Sequence, residues 1–287
     1  YRRSVSFEEM SQPQREAAFD LMRASLSARG MNLMRDIMRL NETAAELAGT
    51  HGFGAGEWAY YITILGRPSA AEPWGWQLDG HHAIVNYFVL GDQVVMTPFF
   101  AGSEPVHATS GKYKGTIVLQ EEQRLGFEVL RALDGAQRAR AVLSSSKSLR
   151  NNLAEAFKDN VVLDYAGVPA AALRNSQRRR LLELVELHVG NMDEGHARVK
   201  MDEVRRHLEA TTFAWVGGVE ESGVFYYRVH SPVIMIEFDH QSPVASRFRG
   251  QEPKKPTRQH IHVVVRTPNG NDYGKDLLRQ HYLSHPH

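Results

Sequence analysis

The sequence predicts an α+β fold in which antiparallel strand meanders from both halves of the chain pack with helices. Three observations point there. Apolar residues recur at helical spacing in separate stretches, strand-like segments follow one another through short turns, and the order runs helices, strands, helices, strands, helix. That order fits a single compact domain over residues 1–287 with one sheet assembled from both parts of the chain, or two intimate α+β halves of about 1–118 and 119–287.

The elements follow in chain order. Ser11 with Gln14 reads as a capping box, and Phe19, Met22 and Leu26 recur behind it at helical spacing. A second helix carries Met34, Ile37, Met38 and Leu47 on one face and stops at Gly49. Strand patterning then covers residues 58 to 64, 76 to 90 and 94 to 100, with Gly91-Asp92 as a turn. Residues 120 to 143 return to helical spacing, with Asp134 as a cap between two segments, and further helices are expected over 176 to 189 and about 196 to 210. Strands are expected again at 213 to 216, 224 to 229, 233 to 238 and 260 to 266. Asp272 is placed to cap a closing helix through Leu277, Leu278 and Tyr282. Residues 241 to 259, rich in proline and charge, read as a long surface loop. A weak internal echo relates 76 to 88 to 227 to 239, in pattern more than in identity.

Composition narrows the function. Hydrophobic residues make up 42% and charged residues 23%, the balance of a globular chain that buries a core without disulfides or metal. Lys and Arg number 34 against 33 Asp and Glu, so there is no net field to hold nucleic acid or an anionic membrane, and neither is expected as a partner. The cluster Arg178-Arg179-Arg180 opens a helix and reads as its solvated face. The absence of cysteine removes thiolate nucleophiles and Cys-ligated metal centres, so any metal must be held by His, Asp, Glu or amides. No phosphate loop, nucleophile elbow or H-E-x-x-H motif is present, and Gly52-Phe53-Gly54-Ala55-Gly56 lacks the strand and helix that would give it meaning. A first residue of Tyr rather than Met fits a removed export signal; a periplasmic or secreted location is the expectation, with the cytoplasm as alternative.

Candidate chemistry resides in two histidine segments. His260 and His262, two apart on a strand, project to one face and can approach one ion, although any short H-x-H also suits a solvated strand face. Glu237 and Asp239 share a face of the preceding strand, giving oxygen ligands or a general base, and Arg266 lies on the same face as the histidines, within reach of either carboxylate. Asp79-Gly80-His81-His82 reads as a turn, with Gly80 permitting positive φ, so that His82 or His81 could supply a further ligand. The two segments are expected to meet in the fold. His188 and His207 sit near helix C-termini as dipole partners, and His281, His285 and His287 crowd the terminus.

The motifs Trp76-Gln77-Leu78-Asp79-Gly80-His81-His82, Asn86, Gly91-Asp92-Gln93-Val94-Val95, His260-Ile261-His262 with Arg266, and Asn271-Asp272-Tyr273-Gly274 together resemble a bacterial and fungal family catalogued as domain of unknown function 3500. The likeness runs from the first helix to the closing one. It implies proteins that are often exported, and it supplies no role for the histidines.

The function expected from the residues is that of a metal-dependent enzyme, a hydrolase or lyase acting on a small organic substrate. His82, His260, His262 and His81 are the candidate metal ligands, and Glu237, Asp239 and Arg266 the candidate catalytic groups. The ion is divalent: zinc, copper or iron. A copper or non-haem iron oxidoreductase is one alternative. A non-catalytic protein that binds a small molecule in a Trp, Tyr and His pocket is the other.

Overall fold

In a computed structural model, the structure describes residues 4–51, 54–148, 150–155, 158, 161–244 and 255–285. Part of the proline-rich loop, 245–254, together with Gly52, Phe53 and His287, lies outside them. The N-terminal helices form where their caps and spacing predict. α1 (Gln12–Ser25) starts at the Ser11/Gln14 capping box, and α2 (Ala28–Ala48) ends at Gly49 in the left-handed region, φ 67°. Leu47 departs from expectation: it is the next-to-last residue of α2 and is exposed, while Met34, Ile37 and Met38 are buried.

Strands β2 (Tyr60–Leu65), β3 (Trp74–Gly80), β4 (Ala83–Leu90), β5 (Gln93–Val95) and β6 (Phe99–Ser103) follow β1 (Val5–Ser6). The expected strand at 76 to 90 is therefore two strands joined by His81-His82, and the one at 94 to 100 is broken before Phe99. Helices α3 (Gln120–Ala132) and α4 (Gly135–Ala141) are separated by Asp134, which closes its own capping box with Gln137. After β7 (Val142–Ser144) and β8 (Val168–Pro169) come α5 (Asn175–Val189) and α6 (Glu194–Arg206). Then follow β9 (Thr212–Gly217), β10 (Phe225–His230), β11 (Met235–His240), β12 (Ile261–Arg266) and α7 (Lys275–Ser284).

Among the described residues these strands make one twelve-stranded sheet, antiparallel except for the β7/β9 pair. Its order places β2, β3, β4 and β6 on one side and β12, β11, β10 and β9 on the other, with β6 against β12 at the seam. Each side is a helix pair followed by a four-strand meander, so the internal echo seen in the sequence falls on equivalent hairpins, β3/β4 and β10/β11.

Alternation along the strands separates two chemistries. Ile261, Val263 and Val265 of β12, Phe99 and Ala101 of β6, and Phe225 and Tyr227 of β10 point into the core against the helices. Tyr227 and Phe238 stack across neighbouring strands at 5.0 Å, and α3 lies on that stack so closely that a Cβ at Gly126 would sit 2.2 Å from the Tyr227 ring. The opposite face carries His262 and Arg266 of β12, Glu237 and Asp239 of β11, and Tyr226, Arg228 and His230 of β10, and it too is largely buried. A strap formed by residues 150–155 covers part of it.

Candidate metal centre

The centre stands at the seam, where the start of β12 meets the end of β6 and the turn before β4. His82 occupies the second position of the His81-His82 turn with φ 66°, in the left-handed region. Sequence reasoning assigned that freedom to Gly80. Gly80 is instead inside β3, and it is small because the Tyr60 ring lies 2.0 Å from where its Cβ would be. The turn is pinned from three sides: the Tyr60 hydroxyl donates to the His81 carbonyl (2.7 Å), the Gly102 N–H donates to the His82 carbonyl (2.7 Å), and His81 Nδ1 bonds Asn41 Oδ1 (2.9 Å). Asn41 reaches this point from α2 and uses its amide N–H groups on the Gly54 and Gly56 carbonyls, both at 2.9 Å.

The three rings converge. His260 Nε2 lies 3.2 Å from His82 Nε2 and 2.9 Å from His262 Nε2, and the ligand atoms of all three residues fall within 4.8 Å of one another. His260 Nδ1 is 2.8 Å from the Ser242 carbonyl, an acceptor only, so a neutral His260 donates from Nδ1 and keeps its lone pair on Nε2. One in-plane lone pair accepts one hydrogen bond, yet two imidazole nitrogens approach it. A cation resolves the conflict: tetrahedral zinc with Zn–N of about 2.0–2.1 Å sets its ligand nitrogens ~3.3 Å apart. These three histidines could therefore hold a metal ion.

The surroundings favour that use. Gly102, cross-strand from His262, leaves room for both rings: a Cβ there would lie 3.0 Å from His82 Cδ2 and 3.1 Å from His262 Cδ2. Burial, reinforced by the other imidazoles, pushes His82 and His262 well below the ordinary histidine range, so both present neutral nitrogens. Glu104 Oε2 stands 3.4 Å from His260 Nδ1 and also accepts the Val244 N–H; burial raises its carboxyl. Phe100 packs edge-on against the His262 ring at 5.0 Å. Sequence reasoning missed Gly102, Glu104, Asn41 and Ser242, none of which belongs to a motif: the pairing of β6 with β12 brings in Gly102 and Glu104, α2 carries Asn41, and the chain leaving β11 carries Ser242.

The remaining candidates land elsewhere on the polar face. His81 stacks on His82 (4.0 Å) and is held by Asn41, outside the three-histidine set. Asp239 is the direct cross-strand neighbour of His262, but it is completely buried in an ion pair with Lys147 (2.8 Å) and accepts from the Asn151 N–H and the Gln241 amide. Burial raises its carboxyl to about 6 against the opposing pull of Lys147 and those donors. Glu237, one row further from the histidines, accepts the Leu153 and Ala154 N–H groups and the Tyr226 hydroxyl (2.5 Å). Arg266 pairs with neither carboxylate. It bonds Asp272 (2.7 Å) and donates to the Ala154, Glu155 and Lys158 carbonyls, so Asp272 anchors an arginine rather than capping α7. His188 is not a cation at a helix end either: buried against the Tyr227 hydroxyl, it is held near 3 by desolvation.

A family model described as a protein of unknown function, DUF3500, matches residues 1–275, and the chain belongs to that family. No curated protein and no solved structure matches it.

Proposed function

We propose that this DUF3500 protein is a metal-dependent enzyme, a hydrolase or lyase acting on a small organic substrate at an ion held by His82, His260 and His262. The observation that carries the reading is the approach of two imidazole nitrogens to the single Nε2 lone pair of His260. Three protein ligands leave a fourth position for water or substrate, the arrangement of catalytic rather than structural zinc. An ion there lowers the pKa of bound water or polarises a carbonyl. The protein's own part is to keep the imidazoles neutral by burial and to orient His260 through Ser242 and Glu104.

Three neutral imidazoles suit copper and non-haem iron as well as zinc, so metal identity separates hydrolase or lyase chemistry from oxidoreductase chemistry. A periplasmic or secreted location belongs to the same proposal. Tagless protein purified without chelator should contain about one ion per chain. His260→Ala and His262→Ala should lose it, and His281→Ala should keep it. Metal analysis finding full occupancy in a His260→Ala, His262→Ala double variant would overturn the assignment and leave non-catalytic binding as the better account.

A further inference from the structure

A cavity of about 470 Å³ lies on the other side of the sheet from the histidines. Its floor and inner wall are Phe99, Val265 and Ile234, which point into the core, with Met96, Met192 and Val233 beside them. Val265 and His262 lie on opposite faces of β12, so the sheet itself separates the two places. The cavity also stands at a junction: α6, α7 and the β5 hairpin each supply one wall, and it lies under the seam between the two meanders. Volume and lining fall within the range of small-molecule sites.

The cations and acids of its helical walls are paired, and one further carboxylate lies out in solvent. Lys200 is 3.0 Å from Glu203, Asp276 is 2.9 Å from Arg279, and Asp92 sits exposed at the hairpin tip. An anionic ligand would meet a wall whose lysine, Lys200, is already paired, and would lose its hydration on entry. Hydrogen bonding is available, since Thr97 and Thr267 line the wall 2.7 Å apart through their hydroxyls, and His196, also on the wall, has a buried Nδ1 without a hydrogen bond, 3.5 Å from the Asp193 carboxylate.

We propose that this cavity is a second binding site, for an uncharged, largely apolar small molecule with one hydrogen-bonding group. It is independent of the metal centre. The test uses a neutral fluorescent probe, N-phenylnaphthylamine, and its charged relative, anilinonaphthalene sulfonate, titrated into the full chain. The neutral probe should bind once per chain, and the sulfonate should bind at least ~10-fold more weakly, about 1.4 kcal/mol or more. Val233→Trp and Leu277→Trp, which fill the cavity from two different walls, should each weaken the neutral probe by ~10-fold or more while metal content stays at the parent level. His262→Ala should leave probe binding unchanged. Absence of saturable binding, equal affinity for the two probes, or full binding in a metal-retaining filled variant would overturn the proposal.

Discussion

The polar face of the sheet holds two groups of buried ionisable side chains that contrast sharply in how they are satisfied. On β11 and the far end of β12, Glu237, Asp239 and Arg266 are saturated by backbone N–H groups and carbonyls of the strap and by Lys147 and Asp272. At the near end of β12, the Nε2 atoms of His82 and His262 both approach the single Nε2 lone pair of His260. Neighbouring stretches of one sheet face thus divide into a structural clamp and a cluster of converging imidazoles. A buried polar group whose bonds are complete has no valence left for chemistry; one whose nitrogens crowd together does.

That contrast is broken most forcefully by removing a clamp member. Glu237→Ala leaves the Leu153 and Ala154 N–H groups and the Tyr226 hydroxyl without their acceptor, and should cost about 3–5 kcal/mol of stability, the usual penalty for breaking a buried charged network. Denaturant unfolding measures it, and metal per folded chain should stay near one. A Glu237→Ala protein of parent stability that has lost its ion would place Glu237 in the centre instead. His262→Ala should show the reverse pattern, with occupancy lost and unfolding of the metal-free protein shifted much less.

Gly102→Ala sharpens the comparison without replacing a ligand. The added methyl meets the His82 and His262 rings at about 3 Å, so metal affinity should fall roughly 10–100-fold, the range seen when the supports of a ligand are disturbed. Gly126→Ala is the matched control: its methyl meets Tyr227 in the core, and overpacking there should cost about 1–3 kcal/mol while affinity is unchanged. Competition with a chelating dye separates the two outcomes.

The smallest effect is in pH. Burial holds His240 near 3, below its ordinary 6.5, so the unfolded chain takes a proton that the folded chain refuses between those values. Its contribution is complete above pH 6.5 and is lost as pH falls toward 3. Asp239, raised to about 6, works the other way between 6 and 3.8, because there the folded chain holds the extra proton. Between pH 6 and 4, His240→Gln should therefore flatten the acid loss of stability by one proton, about 1.4 kcal/mol per pH unit. An unchanged slope would mean that His240 is charged in the folded protein.

Local rules made much of this legible in the sequence. Caps at Ser11 and Asp134, the left-handed stop at Gly49, strand alternation, and the H-x-H pair on one face each depend on residues within a turn of one another. The meeting of 81–82 with 260–262 was expected and occurs. What stayed hidden depends on distance along the chain. Asp239 and Glu237 accept bonds from residues more than 80 positions earlier, Arg266 donates to carbonyls more than 100 earlier, and such side-chain-to-backbone bonds carry no period. Thus two carboxylates and an arginine that read as catalytic candidates stand in a clamp, and Gly102 and Glu104 read as nothing until β6 is paired with β12.

The seam between β6 and β12 has a consequence for how the protein is made. His82 comes from the first meander and His260 and His262 from the second, so neither half can assemble the three-histidine set alone. During synthesis the three histidines can meet only after β12 has emerged and docked against β6, so on the proposed reading ion capture must follow that docking. An ion held by all three histidines would tie β12 to the first half, and amides along β6 and β12 should then exchange with solvent more slowly in metal-loaded than in stripped protein.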